Sequence, residues 1–141
     1  IAPMKKIDAE KENEIRVSNY NSKKLKVISS RSHKNKNLET FLNKLGMIEE
    51  IYIGSSLKFC LLAEGKADFY PRIGPTSEWD TAAGEAILAS SGGSVVSLDG
   101  KSISYNTSES LLNPNFLASS KKELIEEFLK IIKGPNGDLL I

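Results

Sequence analysis

Four short stretches carry side chains able to do chemistry. Trp79-Asp80-Thr81-Ala82-Ala83-Gly84 places a carboxylate where a helix is expected to open, followed by a turn of small residues. Asp in that position is commonly just an N-cap. Gly84, however, is disfavoured inside a helix by about 1 kcal/mol relative to Ala, so a ligand or another part of the chain is expected to approach it closely. Asp80 then suits a hard cation such as Mg²⁺, whose shell would need phosphate oxygens and further acids. Gly54-Ser55-Ser56 lies where a strand gives way to a helix, and the free N–H groups there attract an anion. Lys58, one turn in, can add a charge-assisted contact to phosphate; the plain alternative is a serine cap beside a solvated lysine. Ser30-Arg31-Ser32-His33 sets two hydroxyls, a guanidinium and an imidazole just past a strand, which suits an anion or an ordinary polar loop. The fourth stretch is the Pro/Gly-rich run from Arg72 to Asp80.

Other chemistries are excluded by what is missing. His33 is the only histidine and Cys60 the only cysteine, so neither a cysteine-rich zinc site nor an intrachain disulfide is possible. Cys60 sits in an apolar run and is expected to be a small buried core residue. No Gly-x-Ser-x-Gly elbow is present. The net charge of +1 gives no global field for nucleic acid, although residues 1–36 hold ten Lys/Arg against four Asp/Glu. No apolar run approaches the ~20 residues of a membrane span. The start, Ile1-Ala2-Pro3-Met4, lacks the apolar segment of a secretory leader, and a cytoplasmic location is expected. Beginning at Ile1 hints at a fragment. With 141 residues, 40% hydrophobic and 26% charged, the chain fits one globular domain or part of a larger one.

The elements that must position these groups follow from periodicity. Residues 1–24 read as polar and turn-rich, with Glu14–Val17 alternating like a short strand or hairpin arm. Leu25–Ser29 and Ile48–Ile53 read as strands, and Leu38, Phe41, Leu42 and Leu45 as one face of a helix stopped by Gly46. Ser55–Glu64 is expected to be helical, Ala67–Tyr70 a strand and 71–79 a loop. A helix runs from Asp80 to about Ser91. Ser94–Leu98 and Lys101–Tyr105 flank Asp99-Gly100, a strong hairpin signal. Phe116–Ser119 is a last strand and Lys121–Lys133 an amphipathic helix. Alternating strands and helices imply an α/β fold, a mixed sheet flanked by helices. Ligands collect beyond the carboxyl ends of strands in such sheets, which is where three of the polar clusters fall.

From Gly54 to Gly84 the sequence resembles the second signature of the inositol monophosphatase superfamily. Tyr70-Pro-Arg-Ile-Gly-Pro-Thr76, Ser29-Ser-Arg-Ser-His33 and Ser110-Leu-Leu-Asn-Pro-Asn-Phe116 are similar to the CysQ-type 3′(2′),5′-bisphosphate nucleotidases. The likeness covers roughly residues 25–119, between a polar segment (1–24) and a C-terminal helix and tail (120–141), all in one α/β domain. It implies the C-terminal subdomain of the sugar-phosphatase fold. It also implies a Mg²⁺-dependent enzyme that removes the 3′-phosphate of 3′-phosphoadenosine 5′-phosphate, giving AMP and phosphate in sulfur assimilation. Carried over by residue, Asp80 is a metal ligand that also lies at the substrate. His33, Ser55, Lys58 and Arg72 hold nucleotide phosphates, and Ser30 is a further binding position. The family's Glu-Glu pair and Asp-Pro-Ile/Leu-Asp-Gly-Thr signature have no counterpart in context, so the water-activating acids are expected in a missing N-terminal half and this chain alone to be inactive. The rival readings are an inositol monophosphatase or other sugar phosphatase, and a non-catalytic anion-binding fragment.

Overall fold

The computed structural model describes residues 3–8, 11–21, 23–30 and 35–141. Met4–Asp8 (β1) and Lys11–Glu14 (β2) form a two-stranded antiparallel hairpin. The expected hairpin arm therefore ends at Glu14. Ile15 and Val17 leave the ladder, the first donating to the Pro3 carbonyl (3.1 Å) and the second to that of Ser91 (3.2 Å).

The remaining strands are Lys24–Ser29 (β3), Met47–Tyr52 (β4), Phe69–Arg72 (β5), Ser94–Ser97 (β6) and Phe116–Ser119 (β7). They form one sheet in the order β4-β3-β5-β7-β6, parallel across β4, β3 and β5 and antiparallel across β5, β7 and β6. Helices Lys36–Asn43 (α1) and Lys122–Ile132 (α4) cover one face; Leu57–Ala63 (α2) and Glu78–Ser90 (α3) cover the other. The expected mixed sheet flanked by helices is the observed fold. Strand alternation sorts the core: Val27, Phe69 and Leu117 pack beneath α1 and α4, while Ile28, Tyr70, Phe116 and Ala118 face α2 and α3.

The larger departures from the sequence reading each have a physical reason. Ser55 has φ +56°, a left-handed conformation that cannot continue a right-handed helix, so α2 begins at Leu57. Asp80 does not open α3 but is its third residue, within the first turn. Ser77 is the N-cap, and its N–H donates to the Asp80 carboxylate at 2.9 Å in a capping box. β5 runs two residues later than expected, ending at Arg72 despite Pro71. Its pairing with β3 is limited to Val27↔Phe69, so the missing N–H of Pro71 lies past that ladder. The Asp99-Gly100 turn forms, with the Gly100 N–H 2.9 Å from the Ser97 carbonyl, but 101–105 is not a strand. β6 pairs with β7 instead, and Tyr105 is drawn to Glu85 and Thr81 on α3. Cys60 is half-buried rather than buried.

Candidate functional site

Beyond the carboxyl end of β5, the strand, α2 and the first turn of α3 enclose a cleft of about 350 Å³, within the range of small-molecule sites. Ser55, Lys58, Arg72 and Asp80 all line it. Ser30 lies on an adjoining cavity of about 50 Å³, which shares Tyr70 and Arg72 with the cleft. His33 lies outside the described residues.

The β5 register explains half of the arrangement. Tyr70 and Arg72 are two apart on one strand, so both project toward α2 and α3. Tyr70 is buried, with its ring 5.9 Å from Phe59 and 5.6 Å from Phe116, both near edge-on. Across from it, Lys58 on the first turn of α2 is only 9% exposed, its Nζ 5.1 Å from the Tyr70 ring centroid. That cation–π geometry partly offsets the burial of an ammonium group. Arg72 donates from Nη2 to the Pro75 carbonyl at 3.1 Å, while its Nε is buried without a partner. Among the described residues, neither cation forms an ion pair.

The electrostatics follow from this crowding. Burial pushes the Lys58 pKa below the ordinary lysine value, and the Arg72 charge pushes it further. Burial raises the Tyr70 phenol; Arg72 pulls it back by charge and hydrogen bonding, while the Asp80 charge raises it. Two cations without an anionic partner in a concave site create a positive local potential that favours an anion of more than one charge.

Asp80 faces this pair from the third residue of α3. The Ser77 N–H occupies its Oδ2 (2.9 Å), and the residue is exposed, which leaves a carboxylate oxygen for a hard cation. Among the described residues no three His, Cys, Asp or Glu side chains come together. The donor set thus fits one position of a Mg²⁺ shell and no more. Behind Asp80, the close approach expected at Gly84 is real: a Cβ there would lie 2.5 Å from Cδ2 of Phe59, so the missing side chain lets α3 press against α2. Tyr70, Thr76 and Thr81 also line the cleft and were not singled out from sequence. The signal for Tyr70 was its i, i+2 spacing from Arg72.

Trp79 lines the cleft, and further exposed apolar residues lie on the elements that carry it. Trp79 is 71% exposed, and Leu57, Leu111 and Leu112 are exposed at the starts of α2 and α3 and along the segment tied to them. Among the described residues no helix is long and apolar enough to cross a membrane.

Comparison with known proteins supplies the class to which this geometry belongs. The inositol monophosphatase family model matches residues 4–134, and the chain belongs to that family. It is 52% identical over 93 residues to the 3′(2′),5′-bisphosphate nucleotidase CysQ of Escherichia coli (strain K12), which is 66% of this chain and 38% of that protein. CysQ from Bacteroides thetaiotaomicron, a bacterial member of the inositol monophosphatase family, superposes with a TM-score of 0.67 at 40% identity, covering 80% of this chain and 43% of that one. Staphylococcal inositol monophosphatase-1 shares the fold at 18% identity with a TM-score of 0.69, over 94% of this chain and 49% of that one. The chain therefore spans less than half the length of these relatives.

Proposed function

We propose that the protein to which this chain contributes is a Mg²⁺-dependent 3′(2′),5′-bisphosphate nucleotidase, which hydrolyses the 3′-phosphate of 3′-phosphoadenosine 5′-phosphate. The observation that carries the reading is the convergence of Lys58 and Arg72, unpaired and half or more buried, on a cleft whose opposite wall is Asp80. Its support is the likeness to the CysQ proteins, which covers 66% of this chain in the Escherichia coli protein and 80% in the Bacteroides thetaiotaomicron structure. AMP and phosphate would be the products, and clearing the bisphosphate places the reaction in sulfur assimilation in the cytoplasm.

In this reading the residues divide the work. Lys58 and Arg72 bind phosphate oxygens through charge-assisted hydrogen bonds. Ser55, at the left-handed turn before α2, offers a hydroxyl and backbone to the same group. Ser30 and His33 extend binding to the rest of the nucleotide. Tyr70 holds Lys58 over its ring and walls off water from behind. Asp80 would hold one Mg²⁺, which when bound neutralises phosphate charge and acidifies a water ligand. The other acids come from the N-terminal half of the same enzyme, which would pack on the apolar rim around Trp79, Leu111 and Leu112. The 141 residues form one α/β domain, the C-terminal half of that enzyme, and turn over no substrate alone.

A phosphate-release assay on the full-length parent protein with Mg²⁺, offering adenosine bisphosphate and inositol monophosphate in competition, tests this. Preferential turnover of the bisphosphate is expected. Preference for the inositol phosphate would replace the reading with that of a sugar phosphatase, and no turnover of either would leave an anion-binding module.

A further inference from the structure

The run Ser110-Leu111-Leu112-Asn113-Pro114-Asn115 is irregular backbone ahead of β7, yet it is tied along its length to the loop that carries the site. The Leu111 carbonyl accepts from the Glu78 N–H at 2.8 Å, Asn113 N–H donates to the Thr76 carbonyl at 2.9 Å, and Asn115 Oδ1 accepts from the Gly74 N–H at 3.0 Å. The densest knot is the Asn113 side chain. Its Nδ2 lies 3.1 Å from Thr76 Oγ1, 2.9 Å from the Ser77 carbonyl and 2.9 Å from Thr81 Oγ1. The Ser77 carbonyl can only accept, which fixes the end of the amide that faces the loop. The amide's own oxygen is buried and without a partner among the described residues. Buried unpartnered acceptors are rare, and one is tolerated where geometry serves something other than stability. Pro114 adds to this by restricting Asn113 to extended backbone.

These three oxygens, which share the amide's two N–H donors, bracket one carboxylate. Ser77 is the N-cap whose N–H binds Asp80 Oδ2, Thr81 follows Asp80 in the chain, and Thr76 and Thr81 line the cleft. Asp80 is itself exposed, and its described hydrogen bond comes from Ser77, so its direction follows that of the cap. We propose that Asn113 is a positioning residue: through Ser77 and Thr81 it fixes the first turn of α3, and so aims the free oxygen of Asp80 at a divalent cation. This rests on the reading of Asp80 as a Mg²⁺ ligand. Mg²⁺ demands near-ideal octahedral geometry at short range, so a small swing of the cap removes a ligand without unfolding the helix. Asn113 touches neither metal nor substrate.

The test uses the full-length parent protein carrying Asn113→Asp, which keeps the shape and removes both donors, and Asn113→Ala. In both variants the Mg²⁺ concentration for half-maximal activity rises by about 10-fold or more, the scale seen when partners that orient a ligand are lost. The KM for adenosine bisphosphate stays within about twofold, because Lys58 and Arg72 lie on the other walls. In the metal-free variants, amide hydrogen exchange at residues 76–81 accelerates while that of α4 does not. An unchanged Mg²⁺ requirement overturns the proposal, whether exchange is unchanged or protection falls evenly in every element. The exchange pattern does not depend on turnover: a wild-type parent inactive on the bisphosphate would sink the nucleotidase reading, and unchanged exchange at 76–81 would still sink this one.

Discussion

The two faces of the sheet are built differently. Beneath α1 and α4 the packing is continuous and apolar: Phe69 meets Phe128 edge-on at 5.1 Å, with Leu42, Leu117, Leu124 and Ile132 buried around them. Beneath α2 and α3 the core is interrupted. Lys58 is buried with its ammonium over the Tyr70 ring, Thr81 is buried with a hydroxyl to satisfy, and Gly84 substitutes absence for a side chain. The first face carries stability. The second gives some up to hold two cations and a carboxylate around a cleft, the trade expected where binding geometry competes with packing.

The largest effect should come from the apolar face. Phe128→Ala removes a fully buried ring and should lower unfolding free energy by about 3–5 kcal/mol in urea denaturation. A loss under about 1 kcal/mol would dissolve the contrast between the faces. Gly84→Ala gains about 1 kcal/mol of helix propensity, yet its new methyl meets the Phe59 ring at 2.5 Å. The net expectation is a loss of about 1–3 kcal/mol, relieved in the double variant with Phe59→Leu; a stabilised single variant would show that α2 and α3 are not held at close approach.

Lys58→Met sharpens the comparison from the other side. It should leave stability at pH 7 unchanged or higher, because a buried, unpaired ammonium is replaced by an apolar chain of similar length. The Lys58 pKa lies below its unfolded value of 10.5, so between the two the unfolded chain binds more protons and wild-type stability rises with pH. The methionine variant lacks that rise, and pH-dependent denaturation reads it. A clear loss of stability at pH 7 would mean that the contact with Tyr70 outweighs the burial. The last effect is at Tyr105, whose pKa is pushed up to about 12 by burial and by its hydrogen bond to Glu85. Its neutral form supports the fold below pH 10, and that support is lost as pH climbs from 10 toward 12. Tyr105→Phe should flatten this alkaline decline; an unaltered decline would remove Tyr105 from the α3 network.

Much of this was legible because local signals agreed with the tertiary outcome. Phe116–Ser119 and the amphipathic helices α1 and α4 are found where they were read, although α1 ends at Asn43 and leaves Leu45 and Gly46 beyond its cap, Lys44. The clusters past β3, β4 and β5 were visible as polar residues following strands. What failed depended on distant partners. The 101–105 arm alternates like a strand, but β7 takes the pairing with β6, and no local rule chooses between two candidate partners. Pro71 made Arg72 read as loop, because pairing to β3 stops at Phe69 for reasons outside the segment. That shift hid Tyr70, whose role depends on sharing a face with Arg72. Asn113 was visible only as part of a family resemblance, since its three side-chain partners lie 32 to 37 residues away.

The central claim is that α2 and β5 supply a phosphate clamp and α3 a metal ligand, two separable jobs within one cleft. Steady-state kinetics of the full-length parent protein on adenosine bisphosphate, for wild type, Lys58→Ala and Asp80→Asn, test it most directly. Charge-assisted hydrogen bonds contribute about 1.5–3 kcal/mol each, so Lys58→Ala should raise KM roughly 10-fold or more with kcat little changed. Asp80→Asn should instead lower kcat by about 100-fold or more, the scale on which transition-state charge stabilisation is lost, and raise the Mg²⁺ requirement. An unchanged KM in Lys58→Ala, or full turnover in Asp80→Asn, would contradict the account.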